Sequence, residues 1–146
     1  MSNNVIKIAN CSGFYGDKLS AAKELVDGGP IDVLTGDYLA ELTMAILYGQ
    51  KINRGEDKGY VGTFLKQIKE VAKDCKEKNI KIVSNAGGLN PKSMAKEIEK
   101  ILNEQAIDMK VAYIDGDDLL PRMEALSESG EKFENIDKKI PLNDSG

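Results

Sequence analysis

The sequence predicts an α/β fold, a Rossmann-like parallel sheet with helices on both faces. Three observations lead there. Short apolar runs alternate with longer amphipathic segments through most of the chain. The short runs are continuously apolar, as in strands buried on both sides. Each run opens into a polar loop, and in a parallel sheet those loops share one carboxyl edge, where open α/β proteins bind ligands.

The first strand is expected over residues 5–9. Its loop, Asn10-Cys11-Ser12-Gly13-Phe14-Tyr15-Gly16, leads to Asp17. Asp17 is placed to cap a helix whose apolar face is Leu19, Ala22, Leu25 and Val26. Gly28-Gly29-Pro30 ends that helix. A second strand over 31–34 opens into Thr35-Gly36-Asp37. Asp37 is placed to cap a second helix carrying Leu39, Leu42, Ile46 and Leu47, which is expected to stop near Gly49. Residues 50–59 are polar and broken by glycine, and read as an exposed loop.

A long helix comes next. Val61, Phe64, Leu65, Ile68, Val71, Ala72 and Cys75 recur at helical spacing, so Cys75 reads as a buried small side chain. A third strand over 80–83 opens into Asn85-Ala86-Gly87-Gly88-Leu89-Asn90-Pro91. The paired glycines permit a tight turn. Asn90 suits an N-cap and Pro91 the first helical position. A fourth strand is expected over 111–114, followed by Asp115-Gly116-Asp117-Asp118 and a short helix over 119–127. Residues 1–127 then form one α/β domain, and the polar stretch 128–146 reads as a mobile tail or linker.

Composition narrows the function. A net charge of −4 leaves no basic surplus for phosphate backbones, so nucleic acid is not an expected partner. Two cysteines are too few for a disulfide framework. No long apolar run or leader opens the sequence, so a cytoplasmic protein without membrane contact is expected. With no histidine, a Ser-His-Asp triad is excluded and the commonest transition-metal ligand is missing. Neither phosphate-binding glycine motif occurs, and Asp115-Gly116-Asp117 fails as a calcium loop because Leu120 and Leu126 fall where glycine and glutamate are needed.

The polar loops supply the candidate chemistry. Asp37, Glu41 and Asp115 are the acid/base candidates, because neighbouring carboxylates can be driven to different pKa values. Gly87 and Gly88 offer amides to an oxyanion or phosphate. Asn10, Ser12, Tyr15, Asn85 and Lys92 complete the expected substrate-binding set. Lys92 falls in the first turn of a helix, beside the edge where an anion would sit. The carboxylates could also hold Mg²⁺, although nothing fixes a ligand count.

Four stretches carry a resemblance. They are 9–17 (Ala-Asn-Cys-Ser-Gly-Phe-Tyr-Gly-Asp), 28–41, 84–91 (Ser-Asn-Ala-Gly-Gly-Leu-Asn-Pro) and 115–119 (Asp-Gly-Asp-Asp-Leu). Together they resemble the N-terminal part of the acyclic terpene utilization AtuA family, over about residues 5 to 142. The resemblance implies a bacterial catabolic protein of pathways that handle branched acids as coenzyme A thioesters. The expected function is an enzyme component acting on a small carboxylate or acyl-CoA, of hydratase or lyase type. The alternative is a non-catalytic binding or assembly subunit. Family members usually continue past Asp144-Ser145-Gly146, so the chain is expected to be completed by a homo-oligomer or a second protein chain.

Overall fold

The computed structural model describes residues 5–142. Residues 1–4 and 143–146, the outer ends of the expected domain and tail, lie outside the described residues. The chain divides into two compact units, Met1–Ile114 and Asp115–Gly146.

The first unit runs β1 (Ile8–Asn10), α1 (Ala21–Gly28), β2 (Val33–Gly36), α2 (Glu41–Arg54), α3 (Gly62–Glu77), β3 (Lys81–Ser84) and α4 (Pro91–Glu104). Its strands form one parallel sheet in the order β1-β2-β3. The α/β class expected from the sequence is therefore the one adopted. Register sets Ala9, Leu34 and Ile82 side by side. That row faces the helices: Leu34 is 2% exposed, and Ile82 packs against both core clusters. Side chains alternate across a sheet. Ile8 and Val83, which point the other way, are 66% and 60% exposed. Of the two sheet faces expected to carry helices, one is covered in this unit and the other is open.

Helix α3 sits between the two clusters. Phe64, Ile68 and Ala72 join Tyr38, Leu47, Met94 and Leu102 in the first. Val71 and Cys75 join Cys11, Ala22, Val26, Leu34 and Ile80 in the second. Burying each large aliphatic side chain contributes about 1.5–3 kcal/mol, and this helix contributes buried side chains to both clusters. Cys75 is fully buried, as its helical spacing predicted.

Three expectations are corrected. The fourth strand does not form: residues 111–114 join no ladder among the described residues. Met109 and Val111 are held by packing against the first cluster, and Met109 N–H bonds locally to the Ile107 carbonyl at 3.1 Å. Helix α2 does not stop at Gly49 but continues to Arg54. One mid-helix glycine costs about 1 kcal/mol relative to alanine, and the turn beyond it is held by Gln50 Nε2 on the Tyr15 hydroxyl at 3.1 Å and Asn53 Nδ2 on the Gly49 carbonyl at 2.8 Å. The helix ends at Gly55, whose φ of 121° few other residues adopt, with its N–H on the Lys51 carbonyl at 3.1 Å. Lastly, Asp17 and Asp37 are not caps. The caps of α1 and α2 are Ser20 and Ala40, neither with a side-chain cap bond. The sequence reading of α4 holds: Asn90 Oδ1 accepts from Ser93 N–H at 3.1 Å, with Pro91 first in the helix.

The second unit holds a 3-10 turn (Leu120–Arg122), helix α5 (Met123–Glu128) and a small antiparallel hairpin. Glu134 bridges Pro141, Asn135 N–H bonds the Ile140 carbonyl at 2.9 Å, and Leu142 N–H bonds the Phe133 carbonyl at 2.8 Å.

Candidate functional site

The carboxyl ends of the three strands are tied together through Asp37 and Asn85. Asp37 follows β2 directly. Its N–H donates to the Ser12 carbonyl at 2.9 Å, which joins it to the loop after β1. Its Oδ1 accepts from Asn85 Nδ2 at 2.6 Å, which joins it to the loop after β3. Asn85 Oδ1 in turn accepts from Tyr38 N–H at 2.8 Å. This pair of bonds fixes the amide's direction, since a flipped amide would set NH₂ against a backbone donor. The second oxygen of Asp37 accepts no hydrogen bond among the described residues, and the side chain is exposed.

The other expected ligands differ in how free they are. Asn10 is exposed at the edge, its Oδ1 accepting from Thr35 Oγ at 3.2 Å. Ser12 is buried, and its hydroxyl donates to the Phe14 carbonyl at 2.9 Å. It therefore closes its own loop. Tyr15 is half-buried, with its hydroxyl accepting from Gln50 Nε2 at 3.1 Å, which ties the first loop to α2. Lys92 is exposed in the first turn of α4 and makes no ion pair among the described residues.

The glycine pair splits into two roles. Gly88 has φ of 52°, and its N–H bonds the Asn85 carbonyl at 3.1 Å. A Cβ there would press into Leu47 Cδ1 and lie 2.9 Å from the Gly59 carbonyl oxygen. Gly88 is thus structural. Gly87 is buried, and its N–H has no acceptor among the described residues. Glu41 is the first residue of α2, exposed and not bonded to Asp37. Asp115 belongs to the second unit, where it is exposed. The structure therefore joins Ser12, Asp37 and Asn85 in one bonded edge, with Asn10 at the end of the neighbouring strand. It does not join Asp37 with Glu41. No group of three or more His, Cys, Asp or Glu side chains able to hold a metal occurs among the described residues.

The family model described as acyclic terpene utilisation family protein AtuA matches residues 6–146. The chain belongs to this family. No curated protein and no solved structure gives a match. Membership ties the chain to acyclic terpene utilisation, a catabolic role. No helix among the described residues is long and apolar enough to cross a membrane.

Sequence reasoning missed one part of this AtuA-family edge. Beneath it, the Tyr38 hydroxyl donates to Gln67 Oε1, and Gln67 Nε2 donates to the Leu19 carbonyl at 3.3 Å. Cys11 Sγ lies 3.8 Å from the same hydroxyl. Tyr38, Gln67 and Cys11 are all buried. Burial, then the neighbouring thiol, drives the Tyr38 phenol far above its usual range. Burial likewise raises the Cys11 thiol and pushes Cys75 up to about 11. Neither cysteine is a ready nucleophile at neutral pH. The network instead anchors Tyr38, whose backbone N–H sets Asn85. The available signal was Gln67 itself, a polar residue on α3's apolar face between Phe64 and Val71.

Proposed function

We propose that this chain is a component of a cytoplasmic catabolic enzyme acting on a small carboxylate or acyl-CoA, of hydratase or lyase type. The reading places the substrate at the carboxyl edge of a Rossmann-like sheet, with the site completed by a further chain or domain. The observation that carries it is the Asp37–Asn85 pair. It presents one carboxylate oxygen held in place and one left free, at the edge where open α/β sheets bind ligands. In this reading the free Asp37 oxygen takes the proton from the carbon beside the carboxyl or thioester carbonyl. The unpartnered N–H of the buried Gly87 would serve as donor to the oxygen that gains charge. The α4 N-terminus, with Lys92 in its first turn, favours the substrate's anionic group.

The test combines binding and turnover. Phosphate and then coenzyme A are titrated into the labelled chain while backbone amide resonances are followed. The expected shifts centre on Gly87 and Lys92, and shifts confined to other surfaces would refute the site. Hydration and dehydration of branched acyl-CoA thioesters are then assayed with and without the product of the neighbouring gene. Asp37→Asn is expected to lower turnover by about 10²–10⁴-fold. An assembly subunit without chemistry would leave turnover unchanged in that variant.

A further inference from the structure

We propose that Gln67 is a positioning residue for the acid at the sheet edge: acting through Tyr38 and Asn85, it fixes the direction in which the free oxygen of Asp37 faces. The proposal rests on the acid/base reading of Asp37 given above. Gln67 lies on the buried face of α3, 4% exposed. Both ends of its amide are used. Oε1 accepts from the Tyr38 hydroxyl, and Nε2 donates to the Leu19 carbonyl at 3.3 Å. One partner is a hydroxyl and the other a pure acceptor, so a flipped amide would set two oxygens together at Leu19. The Tyr38 hydroxyl is therefore aimed at a fixed point.

The ring carries that constraint to the backbone. A Cβ at Gly36 would lie 2.5 Å from Tyr38 Cε2, so the ring rests directly on the Gly36 backbone. Phe64 meets the same ring edge-on, with centroids 5.6 Å apart. Tyr38 is thus held at its tip and along its sides. It is also joined to the edge twice. It follows Asp37 in the chain, and its N–H donates to Asn85 Oδ1 at 2.8 Å, while Asn85 Nδ2 donates to Asp37 Oδ1 at 2.6 Å. A shift of Tyr38 therefore moves both the backbone of the acid and its hydrogen-bond partner. Stability alone does not call for a polar pair in this core, because replacing both partners by apolar groups of like shape is close to neutral. What the pair adds is direction, and a misplacement of about 1 Å costs turnover about 10²-fold.

The double variant Tyr38→Phe with Gln67→Met tests this, since it removes both polar partners and keeps their bulk. Its Tm is expected within about 3 °C of the parent's. In the acyl-CoA assay described above, kcat is expected to fall about 10–100-fold, with KM within about twofold. In the labelled protein, the Tyr38 amide is expected to exchange about tenfold faster or more. The Asn85 Nδ2 proton bonded to Asp37 is expected to lose its downfield shift, while the amides of α4 keep their rates. Gln67→Met alone strands the Tyr38 hydroxyl, so it should show the same loss of kcat together with a lower Tm. A pair that serves packing alone predicts otherwise. The double variant would then keep parental turnover with unchanged Tyr38 and Asn85 signals, or the fall in kcat would track the fall in Tm across both variants. Either result would overturn the proposal. A parent without turnover refutes the acid/base reading instead, and the Tyr38 and Asn85 signals then decide by themselves whether Gln67 holds the edge.

Discussion

The loop after β3 and the acidic loop at 115–118 look alike in sequence. Each follows an apolar run, contains glycine and several polar side chains, and precedes a helical segment. They fold into opposite kinds of object. In the first, Asn85 holds Asp37 and the Tyr38 amide, Gly88 N–H closes on Asn85, and Asn90 caps α4. Asn90 Nδ2 also reaches the Glu56 and Lys58 carbonyls at 2.8 and 3.1 Å. In the second, Asp115 and Asp117 are exposed, and Asp118 accepts one bond from Leu120 N–H at 3.1 Å. The difference teaches that a polar loop residue is open to a ligand only where the backbone has not already used it. Asp37's second oxygen meets that condition, while Ser12 and Gly88 do not.

Substitutions can break this comparison or sharpen it. The largest effect belongs to Gly88→Ala. It combines a left-handed backbone with contact against Leu47 and the Gly59 carbonyl, and should destabilise by about 2–4 kcal/mol in urea unfolding. Asn85→Ala comes next, at about 1–2 kcal/mol, because it strands the Tyr38 N–H and removes a charge-assisted bond to Asp37. Smallest are Asp115→Asn and Asp117→Asn, which thermal melts should place within about 0.5 kcal/mol of the parent. A large loss from either aspartate would mean that the acidic loop is as tied as the first.

Local signals made much of the fold legible. Continuous apolar runs marked three strands, and the 3.6-residue period marked α1 and α3. Asn90-Pro91 located a helix start to the residue, because cap and first-turn proline are decided by the nearest backbone groups. What failed depends on partners distant in sequence. Residues 111–114 carry a strand's composition, but a strand needs a ladder, and Met109 and Val111 are held by side-chain packing instead. Helix α2 passes Gly49 where Gln50, beyond it, is bonded to Tyr15, 35 residues away. Asp37 looked like a cap because it precedes a helix; its actual partner, Asn85, is 48 residues away. The acid at the edge is thus readable in the sequence, and its tie to Asn85 is not.

The position of α3 also orders events on the ribosome. Strand order follows chain order, so β1 and β2 can pair while the rest is still being made. Neither cluster can close at that stage, because both take buried side chains from α3. A nascent chain halted before residue 62 has the residues of both strands made but their apolar surface unshielded, the condition in which partly made proteins recruit chaperones. Emergence of α3 brings side chains to both, but the first still waits for Ala86, Met94 and Leu102 and the second for Ile80, so neither cluster closes until those residues are made.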